Sequence, residues 1–187
     1  MDEHMNTTIA ALATPSGKGG IAVIRISGPR AEEVLRTVFT PKGQQHLWDS
    51  HYMMYGFVHD GGEAIDECMA VLMRAPRSYT MEDVAELQVH GGEFVAQRVL
   101  KLLYSLGVEP AAAGEFTRRA FLNGRIDLSQ AEAVMRQISA QGEQASRAAM
   151  RQLEGGAFTF VRGISERVTE LLSYVEAVRR ERAENEP

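Results

Sequence analysis

Up to Leu122 the chain is a succession of short apolar runs cut by glycine- and proline-rich turns; from Asn123 onward it is helical in pattern throughout. That change of texture limits the fold more than any other feature. Short runs bracketed by turn residues read as strands, and apolar residues at i, i+3 and i+4 read as helices with one buried face. Strands and helices first, then helices alone, predict an α+β protein. We expect a small mixed-sheet domain with packed helices over residues 1–122 and a partial helical bundle over residues 123–187.

The first half predicts strands at residues 7–13, 21–27, 52–59, 66–74 and 84–90. Thr14-Pro-Ser-Gly-Lys-Gly-Gly20 separates the first two, and Asp60-Gly-Gly62 turns between the next two. Ser27-Gly28-Pro29 opens a helix whose buried face is Ala31, Val34, Leu35, Val38 and Phe39. Residues 41–50 and 75–80 read as loops. Residues 93–106 form a second helix, stopped by Gly107. A short helix over 114–123 ends at Gly124. Ser129-x-x-Glu132 reads as a capping box, and residues 144–153 as a further helix. Val161, Ile164, Val168, Leu171, Val175 and Val178 recur at the spacing of a bundle or coiled-coil seam, followed by a charged tail over 179–187.

Hydrophobic residues make up 44% of the chain and charged residues 24%, an ordinary globular composition. The net charge is −5, of which −4 falls in residues 1–122 and −1 in residues 123–187. Neither part has the basic surface that gripping a phosphate backbone requires. One cysteine excludes an internal disulfide framework and a multi-cysteine zinc site, and the five histidines show no metal-ligand spacing. No apolar run approaches the roughly 20 residues of a membrane span. The acidic, polar start lacks a signal core, so a cytoplasmic location without membrane attachment is expected.

Thr14–Gly20 has the composition of a phosphate loop, but Lys18 is followed by Gly19 and not by Ser or Thr, so the Walker pattern fails. Gly17-x-Gly19-x-x-Ala22 matches a loose dinucleotide fingerprint but leads into a strand. A flexible turn that can close on something is the expected role. His90-Gly91-Gly92 has the form of an oxyanion loop, yet no Gly-x-Ser-x-Gly is present. Cys68, inside an apolar strand, reads as core. Three charges stand out. Arg25 interrupts Ile21-Ala-Val-Ile-Arg-Ile26, Glu86 sits among Val84, Ala85 and Leu87, and Arg125 lies in a Gly-Arg-Ile-Asp turn. Such charges either face solvent or line a cleft. In a cleft, the carboxylate accepts paired N–H groups and the guanidinium groups clamp acidic or carbonyl oxygens.

Three segments carry a resemblance. They are Thr7-Ile-Ala-Ala-Leu-Ala-Thr-Pro-Ser-Gly-Lys-Gly-Gly-Ile-Ala-Val-Ile-Arg-Ile-Ser-Gly28, Tyr79-Thr-Met-Glu-Asp-Val-Ala-Glu-Leu-Gln-Val-His-Gly-Gly92 and Gly114-Glu-Phe-Thr-Arg-Arg-Ala-Phe-Leu-Asn-Gly-Arg-Ile-Asp-Leu-Ser-Gln-Ala-Glu-Ala133. In this order they resemble the N-terminal region of the MnmE (TrmE) family of tRNA-modification GTPases, from about Thr7 to about Glu176. The resemblance implies a domain that binds a reduced folate, 5-formyl- or 5,10-methylene-tetrahydrofolate, and forms a homodimer. It implies a helical domain carrying an inserted GTPase domain that uses GTP, magnesium and potassium. With an MnmG (GidA)-like flavoprotein, such proteins modify the wobble uridine of tRNA. The family's folate contacts correspond to Arg25, Glu86 and Arg125, the last often a lysine. The Walker loop, switch segments and magnesium ligands have no counterpart in these 187 residues, so GTP hydrolysis by this polypeptide alone is not expected.

Three functions are open on this basis. The first is a folate-binding and dimerisation module. The second is a non-enzymatic scaffold that dimerises or docks a partner, which the apolar seam after Val161 would suit. The third is a free-standing folate-dependent aminomethyltransferase.

Overall fold

The computed structural model describes residues 6–43, 47–155, 164 and 167–175. The chain forms two compact units, Met1–Arg125 and Ile126–Pro187. The fold is α+β.

The first unit is built on one mixed sheet. Its strands are β1 (Ile9–Leu12), β2 (Ile21–Ser27), β3 (Phe39–Pro41), β4 (Met53–Asp60), β5 (Glu63–Met73), β6 (Val84–His90) and β7 (Glu109–Pro110), in the order β3-β4-β5-β6-β2-β1-β7. All neighbours are antiparallel except β1 and β7. Two helices, α1 (Ala31–Val38) and α2 (Glu93–Ser105), pack on the sheet. Side chains alternate across a strand, so the sheet sorts them by parity. Ala10, Ile24, Ile26, Ala70, Leu72, Ala85 and Leu87 are fully buried and form one core with Val34, Leu35, Val99 and Leu103 of the helices. Positions of the other parity share the opposite face. In that row Arg25 lies opposite Glu86, and Glu86 opposite Val71.

Several expected elements differ in detail. Phe39 does not end α1; it starts the edge strand β3, pairs with Val58, and still buries its ring, edge-on to Trp48. Pro41 closes that strand at the sheet margin, where the missing N–H costs nothing. The turn after β4 is Gly61-Gly62 alone, with both residues at positive φ, and Asp60 pairs with Glu63. The stretch after Gly107, to which the sequence pattern assigns no element, contains β7; the Glu109 and Ala111 N–H groups donate to Thr8 and Ala10 carbonyls at 2.8 and 3.0 Å. Gly91 lies so close to Gly19 that a Cβ would sit 2.3 Å from its carbonyl oxygen. The Gly19 N–H donates to the Gly91 carbonyl at 3.0 Å, which pins the glycine-rich turn 14–20 at its end to the link between β6 and α2.

A short helix, α3 (Glu115–Leu122), follows β7 in the first unit. In the second unit α4 (Leu128–Ser139) and α5 (Glu143–Leu153) form a helical hairpin. Gln130 donates to the Leu153 carbonyl, and Gln137 to Ser146, so the helices run antiparallel. The capping box is not Ser129-x-x-Glu132. Asp127 is the N-cap: its carboxylate accepts from the Gln130 N–H at 2.8 Å, and Gln130 accepts the Asp127 N–H at 2.9 Å. The pattern occurs twice in overlapping register, and the chain turns helical at the earlier copy; Ser129 instead accepts a hydrogen bond from Gln152. Residues 167–175 are helical, and Ile164, Val168, Leu171 and Val175 of the expected seam are exposed. Val161, Val178 and the tail over 179–187 lie outside the described residues. Among the described residues no helix is long and apolar enough to cross a membrane.

Candidate functional site

Arg25 on β2 and Glu86 on β6 are paired in register, and their side chains meet: Arg25 Nε donates to Glu86 Oε1 at 2.8 Å. Both are half-buried on the sheet face away from α1 and α2, with 27% and 15% of the side chains exposed. A lone charge at either position would have to face water. As a cross-strand pair they can sit in a partly dry setting. Only one of the guanidinium's five N–H groups and one of the two carboxylate oxygens is used in this bond. Among the described residues no other hydrogen bond to either group is present, so further donor and acceptor capacity faces the site.

Aromatic rings flank the pair. The Arg25 guanidinium carbon lies 5.3 Å from the Tyr79 ring centroid and 5.6 Å from that of Phe116. Arg125 lies over the same Tyr79 ring at 4.8 Å. These are distances at which the ring quadrupole attracts a cation. Thus all three charges singled out in the sequence gather round Tyr79: Arg25 and Glu86 bonded to each other, Arg125 exposed on the rim.

Local chemistry explains how Arg125 arrives there. Helix α3 (Glu115–Leu122) is followed by Asn123 and then Gly124 at φ +77°. The Gly124 N–H donates to the Phe121 carbonyl and the Arg125 N–H to that of Ala120. This is the Schellman arrangement, which needs a left-handed residue after the cap and reverses the chain sharply. The Leu-Asn-Gly-Arg segment is therefore a helix stop that returns its arginine toward the site.

Tyr79 is held by its hydroxyl, 2.9 Å from Thr117 Oγ1 on α3. Its neighbours are anchored below. Thr80 is buried, its Oγ1 lies 2.7 Å from Ser27 Oγ, and its carbonyl accepts from Asn123 Nδ2 at 2.7 Å. Ser27 also donates to Glu82 at 2.7 Å. Arg119 of α3 exposes 2% of its surface and bonds to Glu82, Glu115 and Thr7. Tyr79, Phe116, Glu82 and Arg119 were not among the residues picked out from sequence. For Arg119 a signal existed: it occupies the helical face of Phe116 and Ala120, where an apolar residue belongs. Tyr79 sits in an irregular loop and carries no periodic signal.

The other sequence motifs lie elsewhere. The turn 14–20 and the first turns of α2 border a cleft of about 350 Å³, whose lining includes Leu12, Ala22, Ala96 and Leu100. Cys68 is buried, and burial, with Asp66 nearby, pushes its thiol up to about 12; it is inert at neutral pH. His90 is exposed, with its ring Nδ1 2.7 Å from Asp66. Among the described residues no group of three or more candidate ligands is placed to hold a metal ion.

Residues 8–125 match the family described as "GTP-binding protein TrmE N-terminus". Similar curated proteins are each called "tRNA modification GTPase MnmE". One from Listeria innocua is 47% identical over 169 residues, one from Symbiobacterium thermophilum 48% over 173, and one from Geobacter sulfurreducens 47% over 176. These alignments cover 90%, 91% and 93% of this chain, but only 37%, 38% and 38% of those proteins. The matched stretch contains the whole of the sheet and Arg25, Tyr79, Glu86, Phe116, Arg119 and Arg125, and by that match the chain belongs to the TrmE (MnmE) family through its N-terminal region.

Proposed function

We propose that residues 1–122, with Arg125 at their margin, form the folate-binding and dimerisation domain of an MnmE-like tRNA-modification protein acting on wobble uridine, and that residues 123–187 begin its helical domain. The single observation that carries this is the gathering of Arg25, Glu86 and Arg125 around the Tyr79 ring. The donor set suits a reduced folate. A pterin presents an edge of adjacent N–H groups, which a carboxylate accepts in parallel, and Glu86 supplies that carboxylate. The benzoyl-glutamate end carries carbonyl and carboxylate oxygens, which the N–H groups of Arg25 and Arg125 can bind. Tyr79 and Phe116 offer flat apolar surfaces for the rings.

When bound, 5-formyl- or 5,10-methylene-tetrahydrofolate would supply a one-carbon unit for the 5-aminomethyl or carboxymethylaminomethyl group of the uridine. The chain's own residues bind and orient; none of them is assigned a covalent step. An MnmG (GidA)-like flavoprotein is the proposed partner and tRNA the substrate of the complete complex. GTP, magnesium and potassium belong to the family's GTPase domain.

Calorimetric titration with 5-formyltetrahydrofolate tests the reading. Glu86→Ala should weaken binding by about 10- to 100-fold, the range for a lost charge-assisted hydrogen bond. Unchanged affinity would reject the pterin assignment. Light scattering after size exclusion should give a dimer. A dimer without folate binding would favour the alternative of a docking scaffold, which the exposed Val168, Leu171 and Val175 would serve.

A further inference from the structure

We infer that Arg119 is a positioning residue: through its ties to Glu82 and Thr7 it sets the Tyr79 ring against the guanidinium groups of Arg25 and Arg125. This deepens the folate reading and rests on it.

Tyr79 belongs to the irregular segment between β5 and β6. Of residues 78–83 only Thr80 is buried, so apolar packing contributes little to fixing their path. Polar groups fix it instead. Arg119 Nη1 donates to the Thr7 carbonyl at 2.8 Å and lies 3.2 Å from each Glu82 carboxylate oxygen. Its Nη2 donates to Thr7 Oγ1 and to Glu115 Oε1, both at 3.1 Å. One guanidinium thus joins three pieces of backbone: the approach to β1, the 78–83 segment and α3. Glu82 in turn accepts from Ser27 at the end of β2, and Ser27 pairs with Thr80, the residue next to Tyr79. Gly28 completes the anchor. Its N–H donates to the Asp83 carbonyl at 3.0 Å, and a Cβ there would sit 2.6 Å from the Thr7 carbonyl oxygen.

The residue type follows from the geometry. A planar fork can serve acceptors on two sides at once, whereas a lysine ammonium is a point charge that serves one cluster. The network lies in a low-dielectric setting, so a half-satisfied version is worse than none. With the fork gone, the Glu82 end of the 78–83 segment loses its link to α3, and the Asn123 bond to the Thr80 carbonyl is left to hold the other end. The segment can then pivot about Thr80, and the Tyr79 ring under Arg25 and Arg125 is no longer fixed from both sides.

Arg119→Lys keeps the charge, and Glu82→Gln keeps the shape of the partner. Each is compared with Tyr79→Ala and with the double variant Arg119→Lys/Tyr79→Ala, by titration of the full chain with 5-formyltetrahydrofolate. Circular dichroism establishes that each variant is folded. The expected result is a loss of about tenfold or more in each single variant, with the double variant no weaker than the worse single. Residues that act on the same element are non-additive. A purely architectural arginine would leave affinity unchanged in the folded variants, or the losses would multiply. Either result overturns the inference while the folate reading stands. Unfolding of both Arg119→Lys and Glu82→Gln also overturns it, since Arg119 would then be a folding residue only. Absence of binding by the unaltered chain removes the folate reading itself.

Discussion

Glu32 is gripped by two arginines. Arg74 Nε and Nη2 donate to its two oxygens at 2.9 and 2.8 Å, and Arg36 Nη2 approaches at 2.7 Å. The hydrogen bond from Arg74 is the main cause that holds this carboxyl below its ordinary value; partial burial opposes it, and Arg36 adds to it. The unfolded chain has the ordinary value, about 4.3. A folded value below the unfolded one means that folding favours the ionised form. The stabilisation is present in full above the unfolded value and is lost as pH falls through the folded one. Glu32→Gln should therefore lower stability by about 1 kcal/mol at pH 7, the upper end for half-exposed pairs. The gap between variant and parent should close as denaturation is repeated toward pH 3. A gap independent of pH would mean that the pair contributes packing and not charge. At this scale the sequence was informative where a residue broke a pattern. Arg25 and Glu86 stood out because each interrupts an apolar strand, and the register then brought them together. Tyr79 broke no pattern, since a loop has no period to break, and its importance depends wholly on what folds against it.

Elements with a strong period of their own were legible almost to the residue: β2, β6 and α2 need only the alternation or the 3.6-residue face. Strands β3 and β7, three and two residues long, have no such period. They exist because β4 and β1 offer unpaired backbone beside them, a tertiary cause that no local window contains. Turns fall between these cases. The Gly124 stop could be read from sequence, but not that it would aim Arg125 at Tyr79. Gly124→Ala puts a Cβ on a residue at φ +77°, which costs about 1 kcal/mol. Melting should register that loss, and folate binding should weaken because Arg125 leaves its place. Gly61→Ala is the control. Gly61 also has positive φ, at +55°, with open space around it, but it lies in the β4–β5 hairpin. It should lose stability and keep its affinity. Equal losses of affinity in both variants would show that binding follows global stability and not the helix stop.

At the scale of the molecule the two units are unequal in core. The main core cluster runs from Ala10 to Val108 and lies wholly in the first unit, as do Arg25, Tyr79, Glu86, Arg119 and Arg125. Among the described residues of the second unit the buried apolar side chains are Ala133 and Ala149, while Leu128, Met135, Ile138, Met150, Leu171 and Leu172 are exposed. An alanine-sized core among these described residues has little to set against the conformational entropy of ordering them, about 1–2 kcal/mol per residue for the backbone alone. Residues 1–125 expressed alone should therefore melt cooperatively and keep their affinity for 5-formyltetrahydrofolate within about threefold, as independent parts do. Residues 126–187 alone should show weak helical signal with no cooperative transition, because the large apolar side chains described there are mostly exposed. If residues 1–125 failed to fold while the full chain melted normally, the sheet would depend on the helical unit for stability.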